Sequence, residues 1–418
     1  MYIPLVIGVV EAVDLLQRRQ VSSRELVDEC LARIAADVTG AWIRVYPDEA
    51  RAAAAAADAR LAAGGAPALC GVPIGLKDLY AAAGVPLTAS STLLHEVPAT
   101  DCTAWARLRA RGMVLLGHLH THEFAAGGTT DQVANPWDHT RSAGGSSGGS
   151  AAALAAGTTP AATGTDTAGS LRIPSAFCGT ATIKPTRGLV PLDGIVPLAP
   201  SLDHAGPMAR TVADCEPLLA AMADVAPPDE RQPLRRIALS PRIGELDSDV
   251  AGRFDDLCAR LALVDVPPPR VDLDVGAAHF DLLCAEMREW HRRFDDRREG
   301  YKPSTRAFFE YADAHPVDIA SLQAQRQRDA ARWLAWFDEH DVDAIVEPTV
   351  PIVPRVRGRG YDDPFSDEAE VKLTYYWNWT GFPVVAFPTG LGARSGLPTS
   401  ASLIGRPGAD WDLLAYAR

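Results

Sequence analysis

From Gly144 to Ser170 the chain reads GGSSGGSAAALAAGTTPAATGTDTAGS, and Gly, Ser, Thr and Ala dominate onward to about residue 210. The run is too long for a linker, and Leu154, Ile173, Phe177 and Ile183 are interleaved in and after it, so it belongs to a core. Glycine-rich backbone inside a core marks a close approach of chain to chain or of chain to ligand. To either side, short β-like runs alternate with helical stretches: VPIGL from Val72, MVLLG from Met113, RRIALS from Arg235, DAIVEP from Asp343 and FPVVAF from Phe382. That alternation predicts an α/β fold with a substantially parallel sheet.

Upstream, the first sixty or so residues read as helices. Ser22 and Glu25 form a capping box before Leu26, Cys30 and Ile34, and an alanine-rich helix after Pro47 stops at Gly64-Gly65. Downstream, about 245–340 is rich in Arg, Asp and Trp, helical in period and bounded by prolines, which reads as an inserted helical subdomain. With 47% apolar residues the chain can bury a sizeable core. Its net charge of −13 argues against general nucleic-acid or anionic-membrane binding, which needs basic patches. The seven cysteines are scattered without a CxxC pair, which reads as reduced thiols. The N-terminal MYIPLVIGVVEAVDLL lacks a basic leader, and no run reaches the roughly 18 apolar residues of a membrane helix. A cytoplasmic protein is expected.

Three segments can carry chemistry. In the first, Gly144-Gly145-Ser146-Ser147-Gly148-Gly149-Ser150 turns into a helix and exposes backbone N–H groups. It has no GxxxxGK[ST] phosphate loop, but it satisfies the G-x-S-x-G elbow pattern through Ser146. A plain glycine-serine loop is the alternative. In the second, Gly164-Thr165-Asp166-Thr167-Ala168-Gly169-Ser170 leads to a serine at a helix start, where successive N–H groups can form an oxyanion hole. Asp166 and Arg172 are close enough to pair across this turn; the alternative is an ordinary ion pair with Ser170 as a helix cap. The third, Val72-Pro73-Ile74-Gly75-Leu76-Lys77-Asp78, reads as a strand carrying Lys77 at its end. A lysine there is snorkelling, paired, or desolvated into a base.

Taken together these segments resemble the amidase signature family, whose active site is a Ser–cisSer–Lys triad. The lysine lies in a VP-x-x-x-KD context at Lys77, the relay serine opens SSGGS at Ser146, and the nucleophile ends a GTDTGGS-like motif at Ser170, 24 residues on. His122-Glu123-Phe124, Asn135-Pro136-Trp137, Cys178-Gly179, Lys184-Pro185-Thr186-Arg187-Gly188, Ser201-Leu202-Asp203, Gly206-Pro207-Met208, Gly381-Phe382-Pro383 and Leu403-Ile404-Gly405-Arg406-Pro407 also look like family landmarks. The resemblance runs nearly the whole chain and is weakest at about 230–340.

It implies residues 1–418 as one α/β/α domain around a large mixed, mostly parallel sheet, preceded by N-terminal helices at 1–65 and with about 245–340 as a variable helical region shaping the pocket. It implies an amidohydrolase of linear amide bonds that turns a small-molecule carboxamide into a carboxylate and ammonia or amine, through an acyl-enzyme on Ser170. Lys77 would be the base, Ser146 the relay, and the N–H groups of Thr167, Ala168, Gly169 and Ser170 the oxyanion hole. Ser147 would orient Lys77, Asp166 and Arg172 would support the turn, and Gly127, Gly128 and Thr129 would border the substrate. Neither a cofactor nor a metal is required. The expected partner is a small-molecule amide, with no nucleic acid and no membrane, and a homodimer is admissible.

Some features depart from that pattern. Ala168 stands where many members carry glycine, which requires a negative φ there. The chain is short for the family, with the loss falling after about 230. His118, His120 and His122 alternate as if on one strand face, which by itself suggests a metal-dependent hydrolase. Cys178 suggests a catalytic thiol, and Asp203-His204 a Ser-His-Asp site with Ser146. Further readings are the amidase subunit of a tRNA-dependent amidotransferase, working in a complex, and a non-catalytic binding relative.

Overall fold

A computed structural model describes residues 7–358, 360 and 368–418; the first residues of the apolar N-terminal stretch lie outside it. Among the described residues eleven strands form one sheet: β1 Trp42–Val45, β2 Pro73–Lys77, β3 Val114–Leu119, β4 Ala161–Asp166, β5 Ala181–Lys184, β6 His204–Ala209, β7 Ile237–Leu239, β8 Leu263–Val264, β9 Ala344–Pro348, β10 Val384–Leu391 and β11 Pro398–Gly405. Their order is β1-β3-β2-β4-β6-β5-β10-β11-β9-β7-β8. The architecture is the expected α/β/α fold with a mixed sheet.

Parallel pairing is narrower than the strand–helix alternation suggests. It joins β3, β2 and β4 at one side and β8, β7 and β9 at the other, while the described strands between them pair antiparallel. The reason lies in strands without an apolar run. AATGTD, ATIK, HAGPMA and PTSASLIG are built of small residues, fully buried, and carry little period-2 signal. RRIALS and DAIVEP contain β7 and β9, VPIGL and MVLLG cover most of β2 and β3, and FPVVAF runs into β10.

The helices begin and end for the expected local reasons. Ser22 Oγ accepts from the Glu25 N–H, and the Glu25 carboxylate accepts from the Ser22 N–H, capping Ser23–Ala35. Pro47 opens the helix Pro47–Ala63, which ends before Gly64 at φ +82°. Between them, β1 interrupts the expected all-helical start and pairs antiparallel with β3 at the sheet edge. The region 245–340 holds helices Ser248–Cys258, Gly276–His291, Pro303–Ala314 and Ile319–His340. Among the described residues no helix is long and apolar enough to cross a membrane.

Two parallel neighbours position the site. β2 and β4 run side by side, with Ile74 opposite Ala161 and Gly75 opposite Ala162. Their carboxyl ends, Lys77 and Asp166, therefore reach the same edge of the sheet, where open α/β sheets bind ligands. The helix Gly148–Ala155 packs there through Ala151, Ala152 and Leu154 against Leu119, Ala162 and Met208. Its small side chains let it lie close to the sheet: a Cβ on Gly149 would meet the His120 backbone at 2.6 Å.

Candidate active site

Lys77 ends β2 with its side chain fully buried. Nζ lies 2.7 Å from Ser146 Oγ, 2.9 Å from Ser147 Oγ and 2.8 Å from Thr165 Oγ1. Burial disfavours the ammonium and brings the lysine pKa down to about 7, with the negative charges of Asp166 and Asp203 limiting the fall. A neutral amine has two N–H donors and one lone pair. Ser147 gives its own hydroxyl proton to the Thr165 carbonyl, 3.3 Å away, so it accepts from Lys77. With Thr165 as the second acceptor, the lone pair is left for the Ser146 hydroxyl. The trio can thus draw a proton from Ser146.

The peptide bond Gly145–Ser146 is cis. The Ser146 carbonyl accepts from the His122 N–H at 3.0 Å and from Thr130 Oγ1 at 3.1 Å. A Cβ on Gly145 would lie 2.4 Å from the Thr129 carbonyl oxygen, so only glycine fits that approach. The Ser147 N–H donates to the Ser170 carbonyl at 3.2 Å, which joins the two serine segments. The Ser170 side chain makes no hydrogen bond among the described residues and borders a cavity of about 670 Å³. Gly127, Gly128 and Ala168 share its wall, as do Leu273, Phe280, Leu283 and Phe308 from the region 245–340. Thr129 stands behind that wall, bonded through Oγ1 to Ser142 and Asp131.

The turn from Asp166 to Ser170 is held by an ion pair, as its spacing predicts. Arg172 Nε and one terminal nitrogen each lie 2.9 Å from the Asp166 carboxylate, and the Leu171 N–H donates to it at 3.1 Å. Burial opposes ionisation of Asp166, but the guanidinium outweighs it and holds the carboxyl below the usual carboxylate range. Gly169 has φ +136°, a left-handed value that favours glycine, while Ala168 keeps a negative φ. Among the described residues the N–H groups of Thr167, Ala168, Gly169 and Ser170 donate to no protein acceptor. Buried donors left open in this way can receive a substrate oxyanion.

Four contributors have no counterpart in the expected set. Thr165 supplies the third hydroxyl to Lys77. Asn378 Nδ2 donates to the Asp166 carbonyl and carboxylate, both at 2.8 Å, and its Oδ1 accepts from Arg172 at 2.6 Å. His279 Nε2 donates to the Thr167 carbonyl at 3.0 Å, and Thr374 Oγ1 to the Ala168 carbonyl at 2.5 Å. The last three reach the turn from more than a hundred residues away, so no local motif marks them.

The histidine alternation does not form a shared face, because β3 ends at Leu119. His118 is committed at both nitrogens, to Tyr46 and to the Tyr80 carbonyl, whereas His120 meets Ser90 and Gln132 and His122 meets the Thr129 carbonyl. Among the described residues no group of three or more His, Cys, Asp or Glu could hold a metal ion. The Cys178 thiol faces the Ala143 carbonyl, and burial pushes its pKa up, away from a thiolate. His204 bonds to the Leu202 carbonyl under the turn and not to Ser146.

Comparison with known proteins follows the same lines. A model of the Amidase family matches residues 25–249. A protein of Roseiflexus sp. (strain RS-1), named as a glutamyl-tRNA(Gln) amidotransferase subunit, is 37% identical and aligns over 95% of this chain and 92% of its own length. One solved structure, reported as the crystal structure of amidase, superposes with a TM-score of 0.89 at 29% identity, covering 98% of both chains. Another, reported as an unexpected vestigial protein complex that reveals the evolutionary origins of an s-triazine catabolic enzyme, gives 0.88 at 30% identity over 98% of this chain and 96% of the other. The expectation of a small-molecule amide as sole partner, without nucleic acid, is corrected by the first likeness: the name of that relative specifies a tRNA and membership of a multi-chain enzyme. Matched along nearly its whole length by such relatives, the chain belongs to the amidase signature family and is an amidohydrolase of amide carbon–nitrogen bonds.

Proposed function

We propose that the chain hydrolyses a carboxamide through an acyl-enzyme on Ser170, as the amidase subunit of a tRNA-dependent amidotransferase. The observation that carries the chemistry is the buried amine of Lys77 among three hydroxyls, with its lone pair left to Ser146. Lys77 takes the Ser146 proton while Ser146 takes that of Ser170, so the Ser170 oxygen attacks the amide carbon with alkoxide character. The negative charge moves to the former carbonyl oxygen, received by the N–H groups of Thr167, Ala168, Gly169 and Ser170. Ser146 then gives a proton to the leaving nitrogen, the C–N bond breaks, and ammonia departs. Water, deprotonated by the same relay, attacks the ester and releases the carboxylate and Ser170.

Ser147 orients Lys77, Asp166 and Arg172 keep the turn in shape, and Gly127 and Gly128 border the substrate. Residues 1–418 act as one domain whose region 245–340 sets the acyl pocket, a reading supported by the cavity-lining residues it supplies. The partner protein is inferred from the relative's name. The seven free cysteines favour the cytoplasm as the place of action.

Two measurements test the reading. Labelling with a fluorophosphonate and peptide mapping should place one adduct on Ser170, absent from Lys77→Ala; an adduct on Ser146 would overturn the triad. Ammonia release from glutamine should rise when the co-expressed partner proteins and tRNA are added. Full turnover alone, unchanged by either, would overturn the amidotransferase assignment and leave the triad intact.

A further inference from the structure

In a trans peptide the carbonyl of one residue and the N–H of the next lie in one plane and point in opposite directions. Whatever holds a carbonyl from outside therefore aims the following N–H inward. Along the Asp166–Ser170 turn each carbonyl has such a holder. Asn378 Nδ2 holds the Asp166 carbonyl at 2.8 Å and so aims the N–H of Thr167. His279 Nε2 holds the Thr167 carbonyl at 3.0 Å and aims that of Ala168. Thr374 Oγ1 holds the Ala168 carbonyl at 2.5 Å and aims that of Gly169. The Ile173 N–H holds the Gly169 carbonyl at 2.7 Å and aims that of Ser170. The four N–H groups aimed in this way are the four that find no protein acceptor among the described residues.

Building on the amidase reading, we propose that His279, Thr374 and Asn378 are positioning residues that set the oxyanion hole by gripping the outer edges of its peptide planes. All three lie outside residues 25–249, the stretch matched by the Amidase model. They reach the turn from the helix Gly276–His291 and from the segment around the helix Tyr375–Thr380. His279 has a double position: it grips the turn and also lines the cavity beside Ser170. The part of the chain that forms much of the acyl pocket wall is thus the part that aims the hole. Asn378 also bonds Arg172 and the Asp166 carboxylate, so its replacement would disturb more than one contact. His279 isolates the effect, and Thr374 shares its hydroxyl only with the Val371 carbonyl of its own segment, at 3.1 Å.

The test is the rate of Ser170 modification by a fluorophosphonate, whose phosphoryl oxygen occupies the hole as the adduct forms. In His279→Phe and Thr374→Val the maximal inactivation rate should fall about tenfold, less than the roughly 10²–10³ lost when an oxyanion donor is removed outright. The half-saturating reagent concentration should stay within about twofold, because the pocket is still present. His279→Gln, which can offer an amide N–H at similar reach, should recover to within about threefold of wild type. A merely structural role predicts lower thermal stability with unchanged labelling, or equal losses in His279→Phe and His279→Gln; either result overturns the proposal. If His279→Phe does not fold, Thr374→Val decides by the same readout. A wild-type adduct away from Ser170 would instead overturn the nucleophile assignment, which distinguishes the two failures.

Discussion

Lys77 Nζ lies 2.7 Å from Ser146 Oγ at the carboxyl end of β2, with solvent excluded from both side chains. A lysine so placed is useful only when neutral, since an ammonium cannot accept a proton. Burial brings its pKa down to about 7. The neutral fraction rises with pH, so kcat/KM for amide hydrolysis should climb through about pH 7 and level off above it. A pH–rate profile checks this; a flat profile between about pH 5.5 and 9 would remove Lys77 as the base.

Replacing members of the triad should have unequal consequences. Lys77→Ala and Ser170→Ala should each abolish turnover, a loss on the order of 10⁴ or more in kcat. Ser146→Ala should leave at most a small residual rate. Steady-state assays with ammonia detection measure all three, and a wild-type-like rate in any of them contradicts the mechanism.

The Asp166–Arg172 pair is buried on both sides. Arg172→Met would leave the Asp166 carboxylate without its guanidinium and should cost about 3–5 kcal/mol of stability. In the wild type, the depressed Asp166 pKa contributes stability that is present above the unfolded carboxylate value near 4 and is lost as pH falls through the lower folded value. The penalty of Arg172→Met should therefore be largest at neutral pH and shrink on acidification. Urea unfolding at pH 7 and at about pH 2.5, between those two values, reads the difference.

Gly169 and Ala168 should respond in opposite ways. A Cβ on Gly169 would lie 2.3 Å from Thr374 Oγ1 at a φ of +136°. Gly169→Ala should lower kcat about a hundredfold by displacing the turn, whereas Ala168→Gly should stay within about threefold. Comparing the two by turnover and by thermal melting separates damage to the hole from general unfolding.

The histidines of β3 and the loop after it serve hydrogen bonds. His118 has both nitrogens occupied by protein partners. Treatment with a chelator should leave turnover unchanged, and His120→Ala should stay within a few-fold of wild type. Activity lost to the chelator and restored by a divalent metal would reopen the metal-hydrolase reading.

Much of this site is legible in the chain because its parts are local. The capping box at Ser22 and Glu25, the lysine at the end of an apolar strand, and the pairing of Asp166 with Arg172 six residues on all depend on neighbours within about a turn or a strand. The ordered serine motifs add the proposed triad, because glycines that permit close backbone approach leave a strong compositional mark. Helix–strand alternation is likewise enough for an α/β fold.

Strand direction and long-range donors are different. β4, β5, β6 and β11 are built of small buried residues, so only pairing across the sheet shows which of them run antiparallel. Thr165 meets Lys77 because β2 and β4 lie side by side, and His279, Thr374 and Asn378 meet the 166–170 turn across separations of 112 to 212 residues. A hydrogen bond requires its atoms within about 3 Å, and sequence spacing sets that distance only inside one element. The chain alone determined which groups are candidates to react; packing of the sheet against the later helices decided which carbonyls of the 166–170 turn are held from outside.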